Sequence, residues 1–131
     1  MKPIVAKLER VLQTKVKSED CWDQIEKDAP RVLSTSALIA YVHRTAIDLL
    51  SSFTDESELN VSEATDIMHT GIAPFGSVIT IKVWVEKVRN NNILLKFEAY
   101  DEFEKIAYGR NRRKIISRTY LDRKIREKTI K

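Results

Sequence analysis

Between Ser34 and Phe53 apolar residues recur at spacings of three and four, at Leu38, Ile39, Val42, Ala46, Leu49, Leu50 and Phe53. That period is helical, and the hydroxyls of Ser34, Thr35 and Ser36 suit the N-cap that opens such a helix. Ile39, His43, Ala46, Ile47 and Leu50 widen the apolar face past half of the circumference. A helix so apolar is wrapped by other structure rather than laid on a surface. The pattern predicts one long, nearly central helix.

On both sides of it the pattern changes. Upstream, Glu9 to Lys17 reads as a strand, followed by an acidic, irregular stretch from Ser18 to Pro30 with Trp22 and Ile25 as anchors onto the body. Downstream of the polar run Thr54 to Asn60, Val61, Thr65 and Ile67 alternate with Ser62, Ala64 and Asp66 as far as His69. Ile79, Ile81, Val83 and Val85 then point one way, and Thr80, Lys82, Trp84 and Glu86 the other. After a turn at Arg89–Asn92, Ile93, Leu95, Phe97 and Ala99 form the inner side of the next strand. A second turn at Asp101–Glu104 leads into a final strand from Lys105 to about Ile116, and Tyr120 to Lys128 suits a charged helix. Short links make this an antiparallel meander with one apolar face. The expected class is α+β, a curved sheet of about five strands wrapped around the helix so that each buries the other's apolar surface. One domain over residues 1–131 is expected, with a basic extension from about residue 118.

Three glycines in 131 residues, Gly71, Gly76 and Gly109, cannot supply the clustered turns of a P-loop or a dinucleotide-binding fold. The single cysteine, Cys21, allows no intrachain disulfide and no Cys-rich zinc site. Charges interrupt the first ten residues, and the longest apolar run, Ala37 to Val42, is far short of a membrane span. A soluble cytoplasmic protein is expected, with no membrane partner. The net charge of +4 is unevenly spread: Arg110 to Lys131 carries ten Lys/Arg against two acids, whereas the preceding 109 residues carry thirteen against seventeen. A basic end on an acidic body suits an anionic partner or a solvated face equally well.

The chain has two histidines, and neither stands where solvation is needed. His43 lies within the apolar helix, four residues from Ile39 and from Ile47, and His69 ends a strand on the side of Thr65 and Ile67. Each suits a hydrogen-bonded core histidine as well as a reactive one. Thr35 at the helix start is a cap or a nucleophile, since the same N-terminus offers N–H groups and positive potential to an oxyanion, near Ser36 and Ala37. Thr35 and His43 stand about 12 Å apart along the helix axis, so a shared site needs His69 to close a slot between them. As metal ligands the two histidines lack a third partner, and no metal is expected.

The runs Ser34-Thr35-Ser36, Thr65-Asp66-Ile67-Met68-His69 and Ala73-Pro74-Phe75-Gly76 resemble the fluoroacetyl-CoA thioesterase-like branch of the hot-dog superfamily. Gly109-Arg110-Asn111-Arg112-Arg113-Lys114-Ile115-Ile116 and Lys124-Ile125-Arg126-Glu127-Lys128-Thr129 resemble it too, so the likeness runs from about Val32 to Thr129. The resemblance implies a hot-dog homodimer, or a larger assembly, that hydrolyses acyl-CoA or acyl-carrier thioesters at a pocket near the subunit boundary. No cofactor is implied beyond the coenzyme A of the substrate. It implies Thr35 and His69 as catalytic, and Ser36, Gly76 and Arg113 as substrate contacts. The family's glutamate is replaced by His43, which supplies no negative charge to orient an imidazole but can position water or take a proton itself.

Alternation places Arg110 and Arg112 on one side of their strand and Asn111 and Arg113 on the other, so only one pair faces a given phosphate. A non-catalytic acyl-CoA binder on the same fold is the main rival reading. Nucleic-acid binding through the basic end is disfavoured, because Tyr120 is the only aromatic in it for stacking.

Overall fold

The chain runs strand, helix, four strands, helix: β1 (Glu9–Lys15), α1 (Thr35–Ser51), β2 (Glu58–His69), β3 (Val78–Arg89), β4 (Asn92–Tyr100), β5 (Lys105–Ser117) and α2 (Arg118–Thr129). The computed structural model describes residues 1–130, and Lys131, the last cation of the basic tail, lies outside them. All five strands form one antiparallel sheet in the order β1-β3-β4-β5-β2. The link between β2 and β3 therefore crosses the sheet, and β2 ends up as an edge strand beside β5.

The core is the contact between helix and sheet. Leu38, Val42, Ala46, Leu49 and Leu50 of α1 are buried together with Ile79, Ile81, Val83 and Val85 of β3, and with Ile93, Leu95, Phe97 and Ala99 of β4. Each Val, Leu, Ile or Phe among them contributes about 1.5–3 kcal/mol when fully removed from water, which fixes the helix against the sheet. Truncating one of them, Leu49→Ala for example, is expected to cost about 2–5 kcal/mol. Ser34 is the N-cap, its Oγ accepting from the Ala37 N–H at 3.1 Å. The alternation expected for β3, β4 and β5 is observed, including buried Asn111 and Arg113 between exposed Arg110, Arg112 and Lys114.

Three expectations need correction. β1 stops at Lys15 rather than Lys17, because Val16 turns into the core and its N–H bonds the Ser77 carbonyl at 2.9 Å. β2 starts at Glu58, and a bulge between Ser62 and Ala64 reverses the sides expected for Val61 and Ser62. Val61 pairs with outward Lys114, whereas Ser62 pairs with inward Arg113, and cross-strand partners share a face. Finally, Trp22 and Ile25 do not anchor the stretch that contains them, being 41% and 66% exposed. The anchors are buried Cys21, bridged to Leu33, and a hydrogen bond from the Tyr41 hydroxyl on α1 to the Asp20 carboxylate. Burial, together with that bond, pushes the Tyr41 phenol well above its usual range. No described helix is long and apolar enough to cross a membrane.

Candidate active site

Thr35 is the first residue of α1 and His69 the last of β2. The cap at Ser34 sets where the helix begins, and the strand end is held by the N–H groups of Thr70 and Gly71, both donating to the Ile106 carbonyl at 2.8 and 3.0 Å. These two anchors bring the side chains together: Thr35 Oγ1 and His69 Nδ1 are 2.7 Å apart. They line a cavity of about 490 Å³ with Trp22, Ile25, Val32, Leu33, Ser36 and Ile72 among its walls.

Burial pushes the His69 pKa below its ordinary value, with the Gly71 backbone opposing. A neutral ring whose Nδ1 accepts from Thr35 carries its proton on Nε2. His69 Nε2 is itself buried and makes no hydrogen bond. No carboxylate meets this imidazole among the described residues.

At the helix start the Ala37 N–H is occupied by the Ser34 cap, which removes it as an oxyanion donor. The Ser36 N–H makes no hydrogen bond among the described residues and belongs to a residue that lines the cavity.

His43 does not reach this cavity. It sits two turns further along α1, where its Nδ1 lies 3.2 Å from Arg113 Nη1. Arg113 is 3% exposed, and none of the ion pairs among the described residues includes it. Instead its Nη1 also donates to Asn111 Oδ1, its Nε to Asn60 Oδ1 and its Nη2 to the Asn60 carbonyl. Asn111 in turn donates to Ser62 Oγ, the Ala64 carbonyl and Thr65 Oγ1. Burial first, and the Arg113 charge second, push the His43 pKa down. Since a guanidinium only donates, His43 Nδ1 accepts, and its proton sits on Nε2.

Within one chain the expected convergence therefore splits into two pairs, Thr35 with His69 and His43 with Arg113. Gly76 stands outside both, with φ +86° and its N–H bonded to the Val16 carbonyl. Strand alternation puts Arg113 and Asn111 on one side of β5 and the family resemblance turns that side toward the site, but Asn60 and Ser62 are not readable, because a bulge leaves no periodic signal. Among the described residues no three His, Cys, Asp or Glu side chains converge on a metal position.

A curved five-stranded antiparallel sheet around one long helix defines the hot-dog fold. A point mutant of the fluoroacetyl-CoA-specific thioesterase FlK superposes with a TM-score of 0.90 at 17% identity, over 98% of this chain and 100% of that one. A hot-dog-like protein from Thermanaerovibrio acidaminovorans gives 0.90 at 22% identity, over 96% and 93%. A Thermus thermophilus protein described as a thioesterase superfamily member gives 0.88 at 22%, over 97% and 94%. The chain belongs to the fluoroacetyl-CoA-specific thioesterase family, whose model matches residues 16–119. No curated protein matches it in sequence.

Proposed function

We propose that this protein hydrolyses acyl-CoA thioesters, with Thr35 as nucleophile and His69 as general base. The observation that carries the reading is the 2.7 Å contact between Thr35 Oγ1 and His69 Nδ1 inside a cavity at a helix N-terminus. Oγ1 attacks the thioester carbonyl while its proton passes to Nδ1. The Ser36 N–H and the positive helix end stabilise the oxyanion. His69 then returns the proton to the departing thiolate, leaving an ester on Thr35. Water, deprotonated by the same nitrogen, cleaves that ester and restores both groups. A lowered His69 pKa keeps the ring neutral, and so able to act as a base, at neutral pH.

His43 and Arg113 serve this site as positioning residues in the proposal, and a second copy of the chain completes it. One flank of α1 carries Ile39, Ala40, His43 and Ile47 at spacings of one, three and four, with Ile39 and His43 half-buried, Ala40 exposed and Ile47 48% exposed. A homodimer formed there covers these apolar groups and brings His43 to the subunit boundary. A single buried, unpaired cysteine suits the reducing cytoplasm in which we place the enzyme.

One observation favours a second reading, a protein that binds acyl-CoA without cleaving it. His69 has no carboxylate to orient it, and His43 stands where the family's acid is expected. Thiol release from a panel of acyl-CoAs by the wild type, His69→Ala and Thr35→Ala decides between them. Faster release by the wild type supports hydrolysis, equal release by all three removes these residues from the chemistry, and binding without release selects the second reading.

A further inference from the structure

The cavity around Thr35 and His69 is far larger than a two-carbon acyl group requires. At about 30 Å³ for a water in the liquid, its 490 Å³ equals about sixteen waters, whereas an acetyl group displaces about two. Its walls hold no Lys, Arg, Asp or Glu: they are Trp22, Ile25, Val32, Leu33 and Ile72 around the small polar residues of the helix start and strand end. The phosphates of a nucleotide find no partner there, so an uncharged part of a thioester suits these walls. Ile25 and Ile72 are 66% and 67% exposed and Trp22 41%, so large apolar side chains stand in water around a reactive pair. A chain laid across them removes that surface from water, which is the main source of affinity in such clefts.

We infer that the acyl group this site selects is an unbranched apolar chain of about six to ten carbons, which at about one water's space per methylene fills about half of the cavity, seated between Trp22, Ile25 and Ile72. The inference deepens the hydrolase reading and rests on it for the position of the carbonyl at Thr35. The chain runs from Thr35 Oγ1 toward the Trp22–Ile25 turn, and each methylene buried there raises kcat/KM about fourfold. Selection thus resides in a wall contributed by the irregular 18–33 stretch, which the Tyr41–Asp20 bond fixes to α1, and by Ile72 just after β2.

The test measures kcat/KM for saturated acyl-CoAs of two, four, six, eight and ten carbons, with Trp22→Ala and Ile72→Asp beside the wild type. Both side chains are well exposed, so neither substitution removes core packing. The expected profile climbs from two carbons to a maximum between six and ten, and each variant lowers the eight-to-two-carbon ratio by tenfold or more. A profile that falls from two carbons onward, or a ratio unchanged in both variants, overturns the inference and leaves hydrolysis standing. If no thiol is released from any substrate, calorimetric binding of the uncleavable thioethers octyl-CoA and ethyl-CoA separates the two proposals. Tighter octyl binding that Ile72→Asp weakens keeps the acyl preference while the hydrolase reading fails; equal binding of the two ends both.

Discussion

Arg113 reaches from the inner face of the sheet to the flank of the helix and donates to His43 Nδ1 at 3.2 Å. A buried guanidinium normally meets a carboxylate, because the charge is otherwise left without a counter-charge at low dielectric. Here neutral acceptors surround it: two asparagines, a backbone carbonyl and an imidazole.

His43→Glu places a carboxylate within reach of that guanidinium. A charge-assisted hydrogen bond is worth about 1.5–3 kcal/mol, and desolvating the new charge takes back part of it. The expected gain is about 1 kcal/mol, read as a higher urea midpoint with an unchanged m-value. Turnover is expected to rise as well, since the position regains an acid. A lower midpoint would show that the imidazole is the better partner for Arg113.

Removing either member of the Thr35–His69 pair strikes the proposed chemistry directly. His69→Ala and Thr35→Ala are each expected to lower kcat by about 10²–10⁴, with KM changed less than tenfold. The double variant is expected to be no worse than the more damaged single one, as for groups that act as a unit. Multiplying losses in the double variant would mean that the two residues act separately.

The acid limb of the rate profile follows from the direction of the His69 shift. The base is active when neutral, and burial holds its pKa below 6.5. Activity therefore persists as pH falls through 6.5 and is lost only as it passes the lowered value. A pantetheine thioester keeps phosphate titration out of the measurement. A limb centred above 6.5 contradicts the assignment of His69 as base.

Gly109 of β5 lies opposite Ile67 of β2. A Cβ built there lies 2.0 Å from the Asp66 carbonyl oxygen and 2.8 Å from Phe97 Cζ. Backbone on one side and a core ring on the other leave little room to give way, so Gly109→Ala is expected to destabilise the protein by about 3 kcal/mol, the upper part of the usual overpacking range. Chemical denaturation measures it. Because β2 carries His69, lost stability should come with lost activity, and a neutral result would show that the two strands separate easily.

The fold is largely legible in the sequence because two periods dominate it. The three-and-four spacing from Leu38 to Leu50 gives the helix, and alternation from Ile79 to Ala99 gives the strands and their inner faces. The losses occur where the period breaks. The bulge at Ser62–Ala64 turns Asn60 and Ser62 inward, and nothing in a polar run such as Ser57-Glu58-Leu59-Asn60 announces it. Trp22 and Ile25 read as anchors because large apolar residues usually bury themselves; here they wall a cavity instead. Thr35 and His69 stand out as singular residues at element ends, but their 2.7 Å contact depends on the sheet order, which local patterns do not encode.

The strand order has a consequence for how the protein is made. Among the described residues β2 has β5 as its only strand partner, and the register joins Glu58 to Ser117 and His69 to Ala107. As a nascent chain leaves the ribosome, helix and histidine emerge early, but the strand bearing the histidine has no strand to pair with until the residues up to about Ser117 follow it. During that interval Thr35 is present without a fixed imidazole beside it, and an unpaired strand edge is open to wrong partners. Chain breaks anywhere before β5 therefore leave the chemistry unassembled, however complete the helix.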